Sequence, residues 1–159
     1  MSVVNARDLD IDSCEFVDTA GTSPESGIDM EPNHPSDSLH NITVRNSLIA
    51  GNVGGGIVVS ISALTSRTPL PVGITFSNCQ LPGDAGGAAF RMYWSNETGA
   101  DPPTGRVLFQ GGAIQNAVDA AANICTCSSC LCVFFLSKTA SFLKLQTARP
   151  PRPSRWRTQ

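Results

Sequence analysis

Apolar and polar residues alternate in four segments that recur along the chain: LDIDSCEF from Leu9, ITVRNSLI from Ile42, ITFSNCQL from Ile74 and VLFQGGAI from Val107. Their first residues lie 33, 32 and 33 positions apart. Alternation places every second side chain on one face of a strand, so each segment predicts a strand with one buried face. A unit of this length that recurs at a fixed period is typical of solenoid proteins.

Alignment of the four segments brings apolar residues onto apolar residues. The resulting columns are Leu9/Ile42/Ile74/Val107, Ile11/Val44/Phe76/Phe109 and Phe16/Ile49/Leu81/Ile114. Parallel strands stacked about 4.8 Å apart would bury such columns as continuous apolar stripes. The pattern therefore predicts the register between the strands as well as the strands themselves.

Each segment of a second family of predicted strands begins with a glycine: GIDME from Gly27, GIVVS from Gly56 and GAAFR from Gly87. Alignment on the glycines places Arg91 in the column of Glu31, and Ala89 in the column of Asp29. Alternation buries Ile28 in this family and turns Asp29 and Glu31 outward. Because no helix-period segment separates the strands, we predict an all-β parallel solenoid and exclude a doubly wound α/β fold.

One further column marks a corner between strands: Ser13, Asn46, Asn78 and Gly111. Stacked Asn side chains can bond to each other along the solenoid axis and satisfy backbone groups at the corner. Small residues follow at the next position, where we predict Cys14 and Cys79 to be buried thiols two coils apart. Among outward residues, Asp12 would stack on Arg45 as an ion pair, and His34 and His40 would lie in an exposed loop.

Charge divides the chain into two parts. Residues 1–119 contain all 13 acids and five bases, whereas residues 120–159 contain six bases and no acid. We predict β-helix repeats over 1–119, then a degenerate last coil and a disordered, basic, proline-rich tail over 120–159. The tail contains four thiols in CTCSSCLC, a possible soft-metal set, and its last 27 residues read as translated non-coding or frame-shifted sequence.

The composition argues against two classes of partner, and the chain start shows no targeting signal. An acidic body argues against nucleic acid, because phosphate binding requires a basic surface. The longest apolar run, LCVFFL, is much shorter than a membrane span. The first ten residues lack the basic and apolar regions of a signal peptide.

The repeats NITVRNSLIAGN (41–52) and GITFSNCQLPGD (73–84), with SGIDMEPN (26–33), resemble the right-handed parallel β-helix of the pectate-lyase-like superfamily. The resemblance covers about residues 5–119. It implies an extracellular, polysaccharide-associated protein that performs β-elimination or epimerisation on a uronate polymer. On this resemblance Asp29 and Glu31 would be catalytic acids that hold calcium, and Arg91 a catalytic base or a cation that contacts the substrate.

Alternatives remain open at the level of sequence. The paired aspartates and Gly-His-Gly of polygalacturonases are absent, and two carboxylates supply only part of a calcium shell. Asp29 and Glu31 would otherwise be solvated charges on a face that meets water. The chain would then be a non-catalytic binding, structural or adhesive module, or, with barely four coils, a fragment of a larger β-helix protein.

Overall fold

The computed structural model describes residues 1–83, 88–93, 103–114 and 132–136. All regular elements in these ranges are strands. They are β1 (Ser2–Val3), β2 (Ala6–Asp12), β3 (Glu15–Val17), β4 (Ile28–Met30), β5 (Leu39–Arg45), β6 (Leu48–Ala50), β7 (Ile57–Ser60), β8 (Val72–Ser77), β9 (Gln80–Leu81), β10 (Phe90–Tyr93), β11 (Gly105–Gln110), β12 (Ala113–Ile114) and β13 (Cys132–Leu136).

The strands form three parallel sheets. Sheet A has the order β1-β4-β7-β10, sheet B the order β13-β11-β8-β5-β2, and sheet C the order β12-β9-β6-β3. From β2 to β10 the chain visits sheets B, C and A in turn, and each such passage is one coil. This stacked parallel arrangement confirms the predicted all-β class and is that expected of a β-solenoid.

The predicted register of sheet B is confirmed. Leu9 pairs with Ile42, and Ile74 lies between Ile42 and Val107. The second apolar column, Ile11/Val44/Phe76/Phe109, is likewise paired strand by strand. These inward side chains are buried except in β2, the terminal strand of the sheet, where Leu9 and Ile11 are half-buried.

Three phenylalanines connect sheets A and B through the core. Phe76 and Phe109 stack with their ring centroids 4.6 Å apart, and Phe90 from sheet A meets Phe109 edge to face at 4.7 Å. Such aromatic pairs add to the free energy gained from burial alone. Sheets A and B are therefore held in place by one shared cluster.

The predicted corner between sheets B and C is confirmed. The predicted bond between stacked Asn side chains is not the one that Asn46 makes. Asn46 and Asn78 have φ of 52° and 53°, in the left-handed region that Asn tolerates. The Asn46 side chain donates from Nδ2 to Asp12 Oδ1 at 2.8 Å. Its backbone N–H donates to Ser77 O in the next coil at 2.9 Å, so the coils are joined mainly by backbone hydrogen bonds here.

The two body cysteines differ in exposure. Cys79 is buried, as predicted, and its Sγ lies 3.4 Å from Val44 O. Cys14 is exposed, so the prediction of a buried thiol there is wrong. The reason is position, because Cys14 lies between the terminal strands β2 and β3, whereas Cys79 has a coil on each side.

The predicted ion pair between neighbouring coils is confirmed. Arg45 pairs with Asp12 in register, and its Nη2 lies 3.2 Å from Asp12 Oδ2. The same nitrogen lies 2.9 Å from Asp10 Oδ2. All three side chains are largely exposed, so the stabilisation is small.

One predicted register in sheet A is wrong by two residues. Arg91 pairs with Val58, and Phe90 with Ile57, whereas alignment on the glycines had placed Arg91 opposite Ser60. A shift of two preserves the alternation of faces, so the pattern alone could not detect it. In the observed register Phe90 is buried opposite Ile57 and packs edge to face with Phe76.

A strand occurs in the region that the sequence assigned to the tail. β13 pairs in parallel with β11, and Val133 lies opposite Val107 after 26 residues instead of 32 or 33. The boundary predicted at residue 119, the tail cysteines Cys125, Cys127 and Cys130, and the basic end at 137–159 lie outside the described residues.

Candidate functional site

Asp29 is the first residue that the sequence singles out. The prediction that its side chain faces water is wrong. It lies on β4 between Ser2 of β1 and Val58 of β7, and its residue surface is only 4% exposed. Its Oδ1 is buried and has no hydrogen-bond partner within the described residues. The addition of β1 to the edge of sheet A, which alternation could not predict, extends the sheet beyond β4 at this point.

Burial determines the electrostatics of Asp29. Loss of solvation raises the pKa of its carboxyl, the nearby Glu31 raises the pKa further, and the amino group of Met1 acts in the opposite sense. Glu31 itself is exposed. The two acids therefore occupy different environments, and Asp29 favours its neutral form more than a solvated aspartate does.

Arg91 shares a column with Asp29 but does not touch it. Both pair with Val58, which lies between them, so their backbones are two strand spacings apart, about 10 Å. Arg91 is half-buried. The structure thus aligns Asp29 with Arg91, while Glu31 lies beyond the end of β4 and outside this column.

The Asp29 region is a poor fit for calcium. Calcium binds six to eight oxygens, and the described residues contain no group of three or more His, Cys, Asp or Glu side chains arranged to hold a metal. A carboxyl group must also be ionised to bind calcium, and burial disfavours the ionised form of Asp29. The residues around Asp29 therefore do not fit a calcium ion.

A different region offers an accessible site, an open groove of about 510 Å³ on the outer face of sheet B. It crosses β5, β8 and β11 and so runs along the direction in which the coils stack. Its polar and glycine residues are His40, Asn41, Thr43, Gly73, Thr75, Gly105 and Arg106. An extended molecule could lie across three coils in this groove.

Two columns of side chains line this groove. Thr43 pairs with Thr75, and both are half-exposed. Arg106 pairs with Gly73, and the backbone of Asn41 lies against Gly73 on its other side. The Asn41 backbone and the His40 ring therefore lie beside a residue that has no side chain, and Arg106 follows it on the next strand.

His40 contributes a defined hydrogen-bonding group. Its Nδ1 lies 2.9 Å from Pro71 O, and a carbonyl oxygen only accepts, so Nδ1 carries the hydrogen. In the neutral ring Nε2 then has a free lone pair. The prediction that His40 lies in an exposed loop is wrong, since it is a half-buried residue of β5, whereas His34 is exposed.

The groove residues retain hydrogen-bonding capacity. Within the described residues, the side chains of Thr43, Thr75 and Arg106 make no hydrogen bond or ion pair. Arg106 is exposed. A bound molecule could therefore engage these groups without breaking a contact to a described side chain.

Sequence reasoning did not identify this groove. Thr43 and Thr75 lie at polar positions of the aligned segments, and Arg106 precedes the segment that begins at Val107, but none of them was singled out. The available signal was Gly73 at an outward strand position, because glycine inside a strand often marks a close approach by a ligand or another backbone. The threonine column could also have been read from the aligned repeats.

Comparison with protein-family models, with curated proteins and with solved structures gives no match to this chain. The resemblance to the pectate-lyase-like superfamily therefore remains a prediction from the repeats. Within the described residues, no helix is long and apolar enough to span a membrane.

Proposed function

We propose that this protein is a glycan-binding β-solenoid that holds an extended polysaccharide along the groove of sheet B. The observation that carries the proposal is the open groove across three coils, lined by hydroxyl and imidazole groups with free hydrogen-bonding capacity. Thr43 and Thr75 can donate to or accept from sugar hydroxyls, and His40 Nε2 can accept from one.

The finer fold assignment belongs to the same proposal. Parallel strands joined by crossovers are right-handed in nearly all proteins, which supports a right-handed coil. The repeats then support kinship with pectate-lyase-like proteins and, through it, an extracellular location. Fold does not determine chemistry, so the proposed binding rests on the groove and not on this kinship.

Binding is better supported than β-elimination. The residues expected to carry out that reaction include a buried carboxyl at Asp29 and an arginine about 10 Å away with Val58 between them. This arrangement offers no evident position for a sugar in contact with both groups.

The test is affinity electrophoresis of the full chain through gels that contain dextran, xylan, polygalacturonate or dextran sulfate. We expect retardation by at least one polymer. Replacement of both groove threonines, Thr43→Val with Thr75→Val, should weaken that binding about tenfold or more, because each hydroxyl hydrogen bond contributes roughly 0.5–1.5 kcal/mol.

Thr22→Val is the matched control, because Thr22 is an exposed threonine in the loop between β3 and β4. It should bind as the parent does. A folded parent that is retarded by none of the polymers would refute glycan binding. Equal retardation of the parent and the groove variant would place the site elsewhere.

A further inference from the structure

One end of the solenoid presents open strand edges. β1, β2 and β3 are the terminal strands of sheets A, B and C, and we call the surface formed by residues 1–18 the end face. Within the described residues β2 pairs with β5 alone, and Ser13 N donates to Arg45 O of that next coil. Successive residues of a strand direct their backbone groups to opposite sides, so those of Asp10 point toward the open edge. Such an edge is a template for another strand.

The apolar positions of the end face are incompletely covered. Leu9 and Ile11 are half-buried, whereas their partners Ile42 and Val44 in the next coil are fully buried. Three of the four large apolar side chains that are exposed in the described part of the chain also belong to this surface: Met1, Val4 and Val17. A strand added beside β2 would cover Leu9 and Ile11 as β5 covers them on the other side.

Acids give the end face a negative charge. Residues 1–18 contain one base and five acids, all five of them exposed: Asp8, Asp10, Asp12, Glu15 and Asp18. Arg45 Nη2 lies 2.9 Å from Asp10 Oδ2 and 3.2 Å from Asp12 Oδ2, so one cation serves two carboxylates. The inward positions of β2 are apolar and its charges point outward, so the charges do not block the addition of a strand.

Charge argues against a second copy of this chain as the occupant of the edge. Two copies joined at β2 by a two-fold axis would place outward acids against outward acids, which is unfavourable. A head-to-tail copy would present β13, whose sequence CVFFL contains no basic residue. A segment with basic residues, in contrast, would supply the second cation that Asp10 and Asp12 lack.

We infer that the end face binds an extended polypeptide segment in which apolar and basic residues alternate, and that this segment adds to sheet B beside β2. Its backbone would bond to the open edge, and its apolar side chains would cover Leu9 and Ile11. Its Lys or Arg residues would lie one strand spacing, about 4.8 Å, from Asp10 and Asp12. The inference is independent of glycan binding, because no residue of β2 lines the groove.

The probe is a fluorescein-labelled synthetic peptide of alternating valine and lysine, and its fluorescence anisotropy is measured as the full chain is added at low salt. We expect saturable binding that weakens as the salt concentration rises. The double variant Asp10→Asn with Asp12→Asn should bind about threefold to tenfold more weakly, because exposed ion pairs each contribute modestly. The same peptide with glutamate in place of lysine should not bind.

Two controls separate strand addition from general attraction between charges. Glu25→Gln with Asp37→Asn makes the same change in net charge in two loops outside the end face, and should bind as the parent does. A valine–lysine peptide that is N-methylated at alternate residues keeps its charge but loses the N–H donors on one edge. It should not bind, because strand addition requires those donors.

Each outcome decides the inference. Binding that N-methylation abolishes, and that Asp10→Asn with Asp12→Asn weakens more than the control pair does, supports it. Equal binding of the methylated and unmethylated peptides, equal losses in the two double variants, or no binding by the folded parent overturns it. A dimer of the full chain in sedimentation, strengthened when Asp10 and Asp12 are neutralised, would identify the occupant as a second copy and also overturn the inference.

Discussion

The outer faces of sheets A and B each carry a column of three residues. In both columns a polar residue comes first, a small or apolar residue second and an arginine third. The columns are Asp29–Val58–Arg91 on sheet A and Asn41–Gly73–Arg106 on sheet B. In each column about 10 Å separates the backbones of the outer residues. The two regions nevertheless differ in accessibility and in charge.

The middle residue and the presence of β1 beside Asp29 together account for this difference. On sheet A the half-exposed side chain of Val58 separates the acid from the arginine, and Asp29 is buried. On sheet B Gly73 leaves the corresponding space to solvent, and the groove includes it. Repeated strand spacing therefore supplies many possible sites on a solenoid, and the middle residue helps to decide which of them can accept a ligand.

The largest expected effect is on the core that both columns share. Phe76→Ala should lower the free energy of unfolding by about 3–5 kcal/mol, because it leaves a cavity beside Phe90 of sheet A and Phe109 of sheet B. Phe16→Ala is the control, since Phe16 is only half-buried in the first coil. Chemical denaturation of both variants measures the difference.

A loss for Phe76→Ala no larger than that for Phe16→Ala would contradict the shared core. Sheets A and B would then be stabilised by separate sets of core contacts. A core substitution beneath one sheet would not be expected to affect the other sheet.

The next effect distinguishes the two glycines of the groove. Gly105→Ala should cost about 1–3 kcal/mol or more, because alanine must adopt a φ of +137° and its Cβ meets Val72 O. Gly73→Ala should change the stability by less than about 1 kcal/mol, since only a small shift at Asn41 N is needed. Thermal unfolding of the two variants checks the order, and similar losses would mean that Gly73 also serves the fold.

Much of sheet B could be predicted from the sequence, for a physical reason. Its strands alternate strictly, and inward residues such as Ile42, Ile74 and Val107 leave one register that buries all of them. In sheet A the alternation is equally clear, but a shift of two residues also keeps it. The observed pairing places Phe90 opposite Ile57 and in contact with the other two phenylalanines.

The candidate sites were less predictable than the strands, because accessibility depends on neighbours that are distant in sequence. Asp29 is outward by alternation, yet β1 lies beside it in the sheet and it is buried. Conversely, the groove arises because Gly73 happens to lie between Asn41 and Arg106, which are 65 residues apart in the chain. Residue type and period do not encode such proximity until the register is known.

The smallest expected effect tests the burial of Asp29 in sheet A through the pH dependence of stability. The pKa of Asp29 is raised in the folded protein, so its stabilising contribution is complete below the unfolded value of 3.8 and declines as the pH rises through the folded pKa. Asp29→Asn removes this decline. The parent should therefore lose stability relative to the Asp29→Asn variant between about pH 4 and neutrality, as measured by melting temperatures across that range.

Asp12→Asn provides the opposite sign on the exposed face of sheet B. Hydrogen bonds from Asn46 and Ser13 lower the pKa of Asp12, so its contribution is present above pH 3.8 and is lost as the pH falls. The parent should then gain stability relative to Asp12→Asn as the pH rises toward 3.8, which lies below the pH range in which Asp29 acts. If both variants instead gave the same slope, Asp29 would be solvated like Asp12. The contrast between a buried Asp29 on sheet A and the accessible groove on sheet B would then not hold in solution.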